Sequence, residues 1–334
     1  MSPDAGGGAS RGADESPTLS VVVPAFNEAG NLERFHEESA AVLDVLALSW
    51  ELIVVDDGSR DATWETIRKL HARDARVRGI RFSRNFGHQY ALLAGLSRAR
   101  GAAVISMDAD LQHPPPVIAE LVAEWRKGNQ IVHTVRRDPE TVSWFKRVSS
   151  RLFYRAFSFL SGTHVSAGMA DFRLLDRQVV ESLLEFPEEG LFLRGLVHSL
   201  GFQSASVPFE CQPRFAGTTS YTLKKMMRFA WTGVTSFSLV PLRASIVLGF
   251  LTSAFAFEQG VEAVYRKLVL DTNVPGWTQL MVVMSGLLGV LFIMLGIVGE
   301  YVGRILVEVR RRPRFIVREE LGGGAPMQDR ARGR

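Results

Sequence analysis

Ala102-Ala103-Val104-Ile105-Ser106-Met107-Asp108-Ala109-Asp110-Leu111-Gln112-His113-Pro114-Pro115 is the stretch on which the fold turns. Its first half, Ala102 to Met107, is a short apolar run that predicts a strand buried on both faces. Its second half opens with two carboxylates two residues apart and ends on a Pro-Pro break, so polar chemistry begins where the strand stops. Alone, an Asp-x-Asp has an ordinary reading as a turn, because aspartate is common there. At a strand end, the pair can hold a hard divalent cation, which binds a diphosphate and offsets charge on a departing nucleotide.

The same grammar repeats toward the N-terminus. Apolar runs at Leu19 to Pro24, Glu51 to Val55 and Val77 to Phe82 predict strands, and Asn31 to Leu46, Ala62 to Arg73 and Tyr90 to Arg98 predict helices between them. Such alternation implies an α/β domain with a parallel sheet, whose ligands bind outside the carboxyl ends of the strands. Pro24-Ala25-Phe26-Asn27-Glu28 and Asp56-Asp57-Gly58-Ser59 fall at two of those ends, where Glu28 and the aspartates can meet a nucleoside. No Gly-x-Gly-x-x-Gly and no Walker Gly-Lys-Ser/Thr follows any strand, which argues against dinucleotide and P-loop chemistry.

The C-terminal third has a different character. With 46% hydrophobic residues and a mean hydropathy near zero, the chain reads as a soluble part joined to a small membrane part. Leu280 to Gly299 is an uncharged apolar run of a length that crosses a bilayer core, and Leu242 to about Tyr265 is a second, interrupted by Glu258 and Glu262. Lys224, Lys225, Arg228 and Arg243 precede the pair, and Arg304, Arg310, Arg311, Arg312 and Arg314 follow it. Basic flanks on both sides predict an even number of crossings, with the catalytic part and both termini cytoplasmic and a short outer loop around Lys267 to Gly276. The expected organisation is a leader over 1–17, an α/β domain over 18–221, an interfacial amphipathic helix over 222–240, two transmembrane helices within 241–302 (about 242–265 and 279–301) and a basic tail over 303–334.

Trp144 to Leu160 and Thr222 to Phe237 interleave basic and aromatic residues, as membrane-surface helices do; core-facing helices show similar spacing. Gly286, Gly289, Gly296 and Gly299 would let the hairpin pack against a copy of itself. Cys211 is the only cysteine, so no intrachain disulfide exists. His88 and His113 have poor metal-site spacing and read as polar loop residues.

Val-Val-Pro-Ala-Phe-Asn-Glu, Val-Val-Asp-Asp-Gly-Ser, Ser-Arg-Asn-Phe-Gly-His-Gln and Met-Asp-Ala-Asp-Leu-Gln-His-Pro-Pro occur in that order. Together they resemble the family 2 glycosyltransferases of the GT-A (Rossmann-like) fold. The run Asp171-Phe172-Arg173-Leu174-Leu175-Asp176-Arg177 and the later Arg312-Pro313-Arg314-Phe315-Ile316-Val317 resemble the polyprenyl-phosphate members, the dolichyl-phosphate mannose synthases and their bacterial relatives. The resemblance implies that Asp108, Asp110 and Gln112 hold Mg²⁺ or Mn²⁺, and that Pro24, Ala25, Glu28, Asp56, Asp57 and Asp108 face the donor nucleotide. It implies that Arg136 faces the donor and acceptor phosphates, and that Arg214 grips phosphate from an element in which Ser220 replaces the lysine of many members. Lys146 and Arg147 join Arg136, Arg214 and Ser220 as candidate acceptor-phosphate residues, and Asp171 matches an acid near the reaction centre, either a base or a structural carboxylate holding Arg173.

The activity so implied is inverting transfer of a sugar from a UDP- or GDP-sugar to a polyprenyl phosphate at the cytoplasmic membrane face. An acceptor with a second pKa of about 6 is already anionic, so a strong general base matters less than charge compensation. The alternatives are transfer to another membrane acceptor, glycolipid or polysaccharide, and a non-catalytic membrane scaffold. The expected partners are a nucleotide sugar, a polyprenyl phosphate, the membrane and a second copy of the chain, with no nucleic acid.

Overall fold

The computed structural model describes residues 17–137, 169–186, 193–210, 239–269, 276–310 and 312–323. The strands are β1 (Leu19–Ala25), β2 (Trp50–Asp56), β3 (Val77–Phe82), β4 (Ala103–Ser106), β5 (Ile131–Arg137), β6 (Met169–Asp176), β7 (Ser204–Glu210) and β8 (Val317–Leu321). The helices are α1 (Leu32–Val45), α2 (Thr63–Arg73), α3 (His88–Arg98), α4 (Val117–Arg126), α5 (Arg177–Leu184), α6 (Leu193–Ser199), α7 (Val240–Leu268) and α8 (Gly276–Arg310).

All eight strands form one sheet in the order β7-β5-β6-β4-β1-β2-β3-β8. β1 to β4 run parallel, with Val22 opposite Ile53 on one side and Ser106 on the other. Their side chains are buried on both faces, which is why they read as continuous apolar runs rather than alternating ones. Val21 and Val23 pack with residues of α1, α2 and α4, whereas Val22 packs with residues of α3, α5 and α6. β6 is antiparallel to both β4 and β5, so Asp171 in β6 lies just past the carboxyl end of β4.

Predicted and observed boundaries differ by a residue or two in the N-terminal half, where α3 begins at His88 rather than Tyr90. Within the expected basic tail over 303–334, the described part is helix to Arg310 and then returns to the sheet as β8, antiparallel to β3. Helical spacing explains the first point, since Arg304 pairs with Glu300 at 3.1 Å one turn away. Buried and half-buried charges explain the second, because β8 carries Glu319 to Trp64 Nε1 (3.0 Å) and Glu320 to Arg98 (3.5 Å). β8 also covers the edge of β3, which would otherwise present unpaired backbone groups.

α7 continues through Glu258 and Glu262 without a break, Glu262 pairing with Arg266 one turn on. Both α7 and α8 are long and apolar enough to cross a membrane, and nearly all of their apolar surface is left uncovered by the rest of the described residues. At 1.5 Å per residue, the 35 residues of α8 span about 52 Å. The helices meet where a Cβ on Gly249 would lie 3.1 Å from Met294 Cε. Gly286, Gly289, Gly296 and Gly299 instead face open space. The proposed interfacial segments at 144–160 and 222–237, and Lys146, Arg147, Arg214 and Ser220, lie outside the described residues.

Candidate active site

The loops after β1, β2, β3 and β4 meet at one edge of the sheet. Those after β1 and β2 are laced together. Asn27, at φ +58°, donates its N–H to Ser59 Oγ (2.9 Å) and accepts from the N–H of Arg60 through Oδ1 (2.9 Å). The Glu28 N–H donates to Thr63 Oγ1 (2.9 Å), and the Asp57 N–H to the Ala25 carbonyl (2.9 Å). Pro24 and Ala25 are therefore buried backbone at the floor, and Glu28 accepts from Asn31 Nδ2 (2.6 Å) at the rim. Gly58, at φ +68°, is required by contact as well as conformation, since a Cβ there would lie 2.4 Å from the Arg84 carbonyl carbon.

The two aspartates after β2 are both buried and hold the neighbouring loops. Asp57 is buried, and its carboxylate accepts the N–H groups of Phe86 (2.7 Å) and Gly87 (2.9 Å), which fixes the loop after β3. Burial raises its pKa, while those two bonds pull the other way. Asp57 is therefore a brace for that loop, and each of its oxygens keeps acceptor capacity beyond the one N–H it takes. Asp56 is 0% exposed; its Oδ1 accepts the Ser59 N–H (2.8 Å), and Oδ2 faces Arg81 at 3.5 Å without a hydrogen bond.

The loop after β4 is shaped from within. Leu111 takes φ +59° and is buried with Ala109, which turns the polar members of Asp108-Ala109-Asp110-Leu111-Gln112 to the other side. The Gln112 N–H donates to Asp110 Oδ1 (3.2 Å), and the Asp108 N–H to His113 Nδ1 (3.2 Å). His113 is buried in stacked contact with Phe172 (5.0 Å, 25°) and edge-on to Phe209 (5.7 Å, 73°). Burial lowers its pKa against the pull of Asp108, Asp110 and Asp171, so the ring is the neutral acceptor the geometry requires. His113 thus anchors the acidic loop, a role its spacing did not reveal although it lies in the same motif.

Asp171 completes the edge. It is buried beside β4, ion-paired with Arg173 Nη2 at 2.5 Å, and Gln89 Nε2 donates to it at 3.4 Å. His88 Nε2 lies 3.6 Å from Asp171 Oδ2 and 3.7 Å from Asp108 Oδ1. Arg136 is exposed at the end of β5, on the same edge of the sheet. The described residues hold no closed cluster of three or more His, Cys, Asp or Glu side chains suited to a metal. Two carboxylates two residues apart at a strand end are instead the donor set that suits Mg²⁺ or Mn²⁺, which take their remaining ligands from substrate phosphates and water. Asp108, 39% exposed at its side chain, and Asp110 fit that use.

The profile of glycosyl transferase family 2 matches residues 20–184, and full-length relatives extend the match. The chain belongs to the family 2 glycosyltransferases. It is 37% identical over 303 residues to the glycosyltransferase YkcC of Bacillus subtilis (strain 168), covering 91% of this chain and 94% of that one. It is 38% identical over 304 residues to the glycosyltransferase sll0501 of Synechocystis sp., covering 91% and 96%. The SfII prophage-derived bactoprenol glucosyl transferase of Shigella flexneri is 35% identical over 305 residues, covering 91% and 99%. This glycosyltransferase has the GT-A catalytic sheet that the resemblance implied, followed by the two long apolar helices that the hydropathy of the C-terminal third predicted.

Proposed function

We propose that this enzyme transfers a sugar from a nucleotide-sugar donor to a polyprenyl phosphate at the cytoplasmic membrane face, with inversion at the anomeric carbon. One observation carries the reading: the acidic edge of the sheet and the two apolar helices belong to one chain, with a strand of that sheet before the helices and another after them. β7 precedes α7 and β8 follows α8, so an apolar pair that crosses a bilayer must cross it an even number of times. Only six residues, 311–316, separate the end of α8 at Arg310 from β8 at Val317, which keeps the catalytic sheet within about 25 Å of the helix end. The basic cluster at Arg304 to Arg314 favours the cytoplasmic side for that end. A lipid-borne acceptor suits this arrangement, and the bactoprenol glucosyl transferase relative supports it over nearly the whole chain.

A divalent cation, when bound, supplies charge neutralisation for the donor diphosphate and for the nucleotide as it leaves. The chain's own residues would do the rest. Asp108 and Asp110 with Gln112 hold the cation, on a loop anchored by His113. Asp171, compensated by Arg173, orients groups at the reaction centre in preference to acting as a strong base. Arg136, with Lys146, Arg147, Arg214 and Ser220, provides the acceptor-phosphate grip, and Pro24, Ala25, Glu28, Asp56 and Asp57 form the nucleoside side.

Full-length enzyme in nanodiscs, supplied with Mn²⁺, polyprenyl phosphate and a panel of UDP- and GDP-sugars, tests the reading. Acid-labile lipid-linked sugar of inverted configuration is the expected product. Product formed only on a glycolipid or polysaccharide would replace the acceptor, and no turnover with any donor would sink the proposal.

A further inference from the structure

His88 stands between two carboxylates that come from different strands. Asp108 follows β4 and Asp171 lies in β6, its antiparallel neighbour. The Nε2 distances of 3.7 and 3.6 Å are too long for hydrogen bonds, but a shift of less than 1 Å would make either one. Catalytic hydrogen bonds are often long before substrate closes a site. The side chain is 42% exposed, so it is not a core histidine held by packing, as His113 is.

Its position is nonetheless built. Gly87, immediately before it, adopts φ +110°, a conformation open to glycine and strained for other residues. The N–H groups of Phe86 and Gly87 are fixed by the Asp57 carboxylate. Phe86 packs edge-on to Phe82 (5.6 Å), Phe82 stacks on Phe315 (5.0 Å, 15°), and the Ser83 N–H donates to the Ile316 carbonyl (2.9 Å). A half-exposed ring at the end of so constrained a loop is placed for the edge it faces.

We propose that His88 is a positioning residue of the transfer reaction. Its Nε2 holds Asp108, on the cation side, and Asp171, on the acceptor side, at the separation that in-line attack needs. The assignment of those two sides rests on the polyprenyl-phosphate reading above. Two carboxylates facing one cleft repel, and an Nε2–H shared between them offsets that repulsion at both. Without it, the loop carrying the cation drifts relative to Asp171, and a misplacement of about 1 Å costs about 100-fold in rate.

The test compares His88→Ala with His88→Gln, whose amide nitrogen reaches the position of Nε2, in the full-length enzyme in nanodiscs. Expected for His88→Ala is a fall in kcat of about 100-fold with donor KM changed by less than about twofold, and for His88→Gln recovery of at least about tenfold of that loss. Mn²⁺ affinity in the presence of UDP or of GDP, read by calorimetry, should be unchanged or tighter in His88→Ala, because a group competing for Asp108 is gone. The proposal is overturned if His88→Gln is no better than His88→Ala, if cation affinity falls in step with rate, or if His88→Ala stays within about threefold of the parent. Should the parent make no lipid-linked product, the acceptor reading fails, and the same ordering of the variants in donor hydrolysis decides the role of His88.

Discussion

The two ends of the parallel sheet both bury carboxylates, and they treat the charge in opposite ways. At the amino end, Glu51 takes Ser20 Oγ (2.6 Å), the Arg100 N–H (2.7 Å) and Arg78 Nη1 (2.7 Å), while the Gly101 N–H donates to Ser20 Oγ (2.8 Å). Both oxygens of that carboxylate have partners, and one of them is a cation that is itself 7% exposed. At the carboxyl end, Asp57, Asp108, Asp110 and Asp171 converge with Arg173 and His88 as their near partners. Charge balance at the first end makes a rigid base. The surplus of negative charge at the second is what gives a divalent cation and a cationic grip something to do.

Breaking the balanced end should have the largest effect, and on stability alone. Glu51→Ala leaves Arg78 buried without its ion pair, which costs about 3–5 kcal/mol. Thermal unfolding of the catalytic domain should show that loss, while transfer per folded molecule stays near the parent value. A variant as stable as the parent would mean that Arg78 finds a substitute partner, with Glu320 at 3.8 Å the nearest choice. Asp110→Asn should do the reverse. Transfer should fall about 100- to 1000-fold, or about 3–4 kcal/mol, together with Mn²⁺ affinity. The melting temperature should hold or rise, because one of four crowded acids has gone. Near-normal turnover would remove Asp110 from the cation site.

How much of this contrast the residues alone disclose depends on how local its causes are. The strands of the parallel core were legible because burial on both faces leaves uninterrupted runs such as Val21-Val22-Val23. Asp108 and Asp110 were legible because they directly follow such a run. Asp57 was not, since the N–H groups it accepts belong to Phe86 and Gly87, about 30 residues later. β8 was missed for another reason. Val-Arg-Glu-Glu-Leu has the composition of a solvated tail, and only the arginines and Trp64 facing it turn its glutamates into anchors.

A third treatment of buried charge lies between the two ends. His133 in β5 is 5% exposed, and burial, with Arg173 and His198 adding repulsion, holds its pKa at about 4. It is therefore neutral in the fold but takes a proton in the unfolded chain below about 6.5. The unfolded state binds more protons between those values, so stability falls as pH drops from about 6.5 to about 4 and levels off below. Up to about 3 kcal/mol is at stake, and His133→Gln should flatten that part of the stability–pH curve. An unchanged slope would assign the acid sensitivity to other groups, His113 first among them.

The smallest effect should separate the two ends within one short segment. The chain leaving α8 touches both: Phe315 and Ile316 support the loop that carries His88, and Glu320 reaches Arg78 and Arg98 at the amino end. Phe315→Ala removes a stacked pair worth about 1 kcal/mol. Its larger consequence should be kinetic, a fall in kcat of about threefold to tenfold as the loop loosens, with donor KM held. Glu320→Gln should lower the melting temperature by less than Glu51→Ala does and leave kcat alone. Two substitutions five residues apart would then divide rate from stability as the sheet's two ends do. If Phe315→Ala and Glu320→Gln instead moved both quantities together, the segment would act as one rigid strap, and the independence of the ends would be lost.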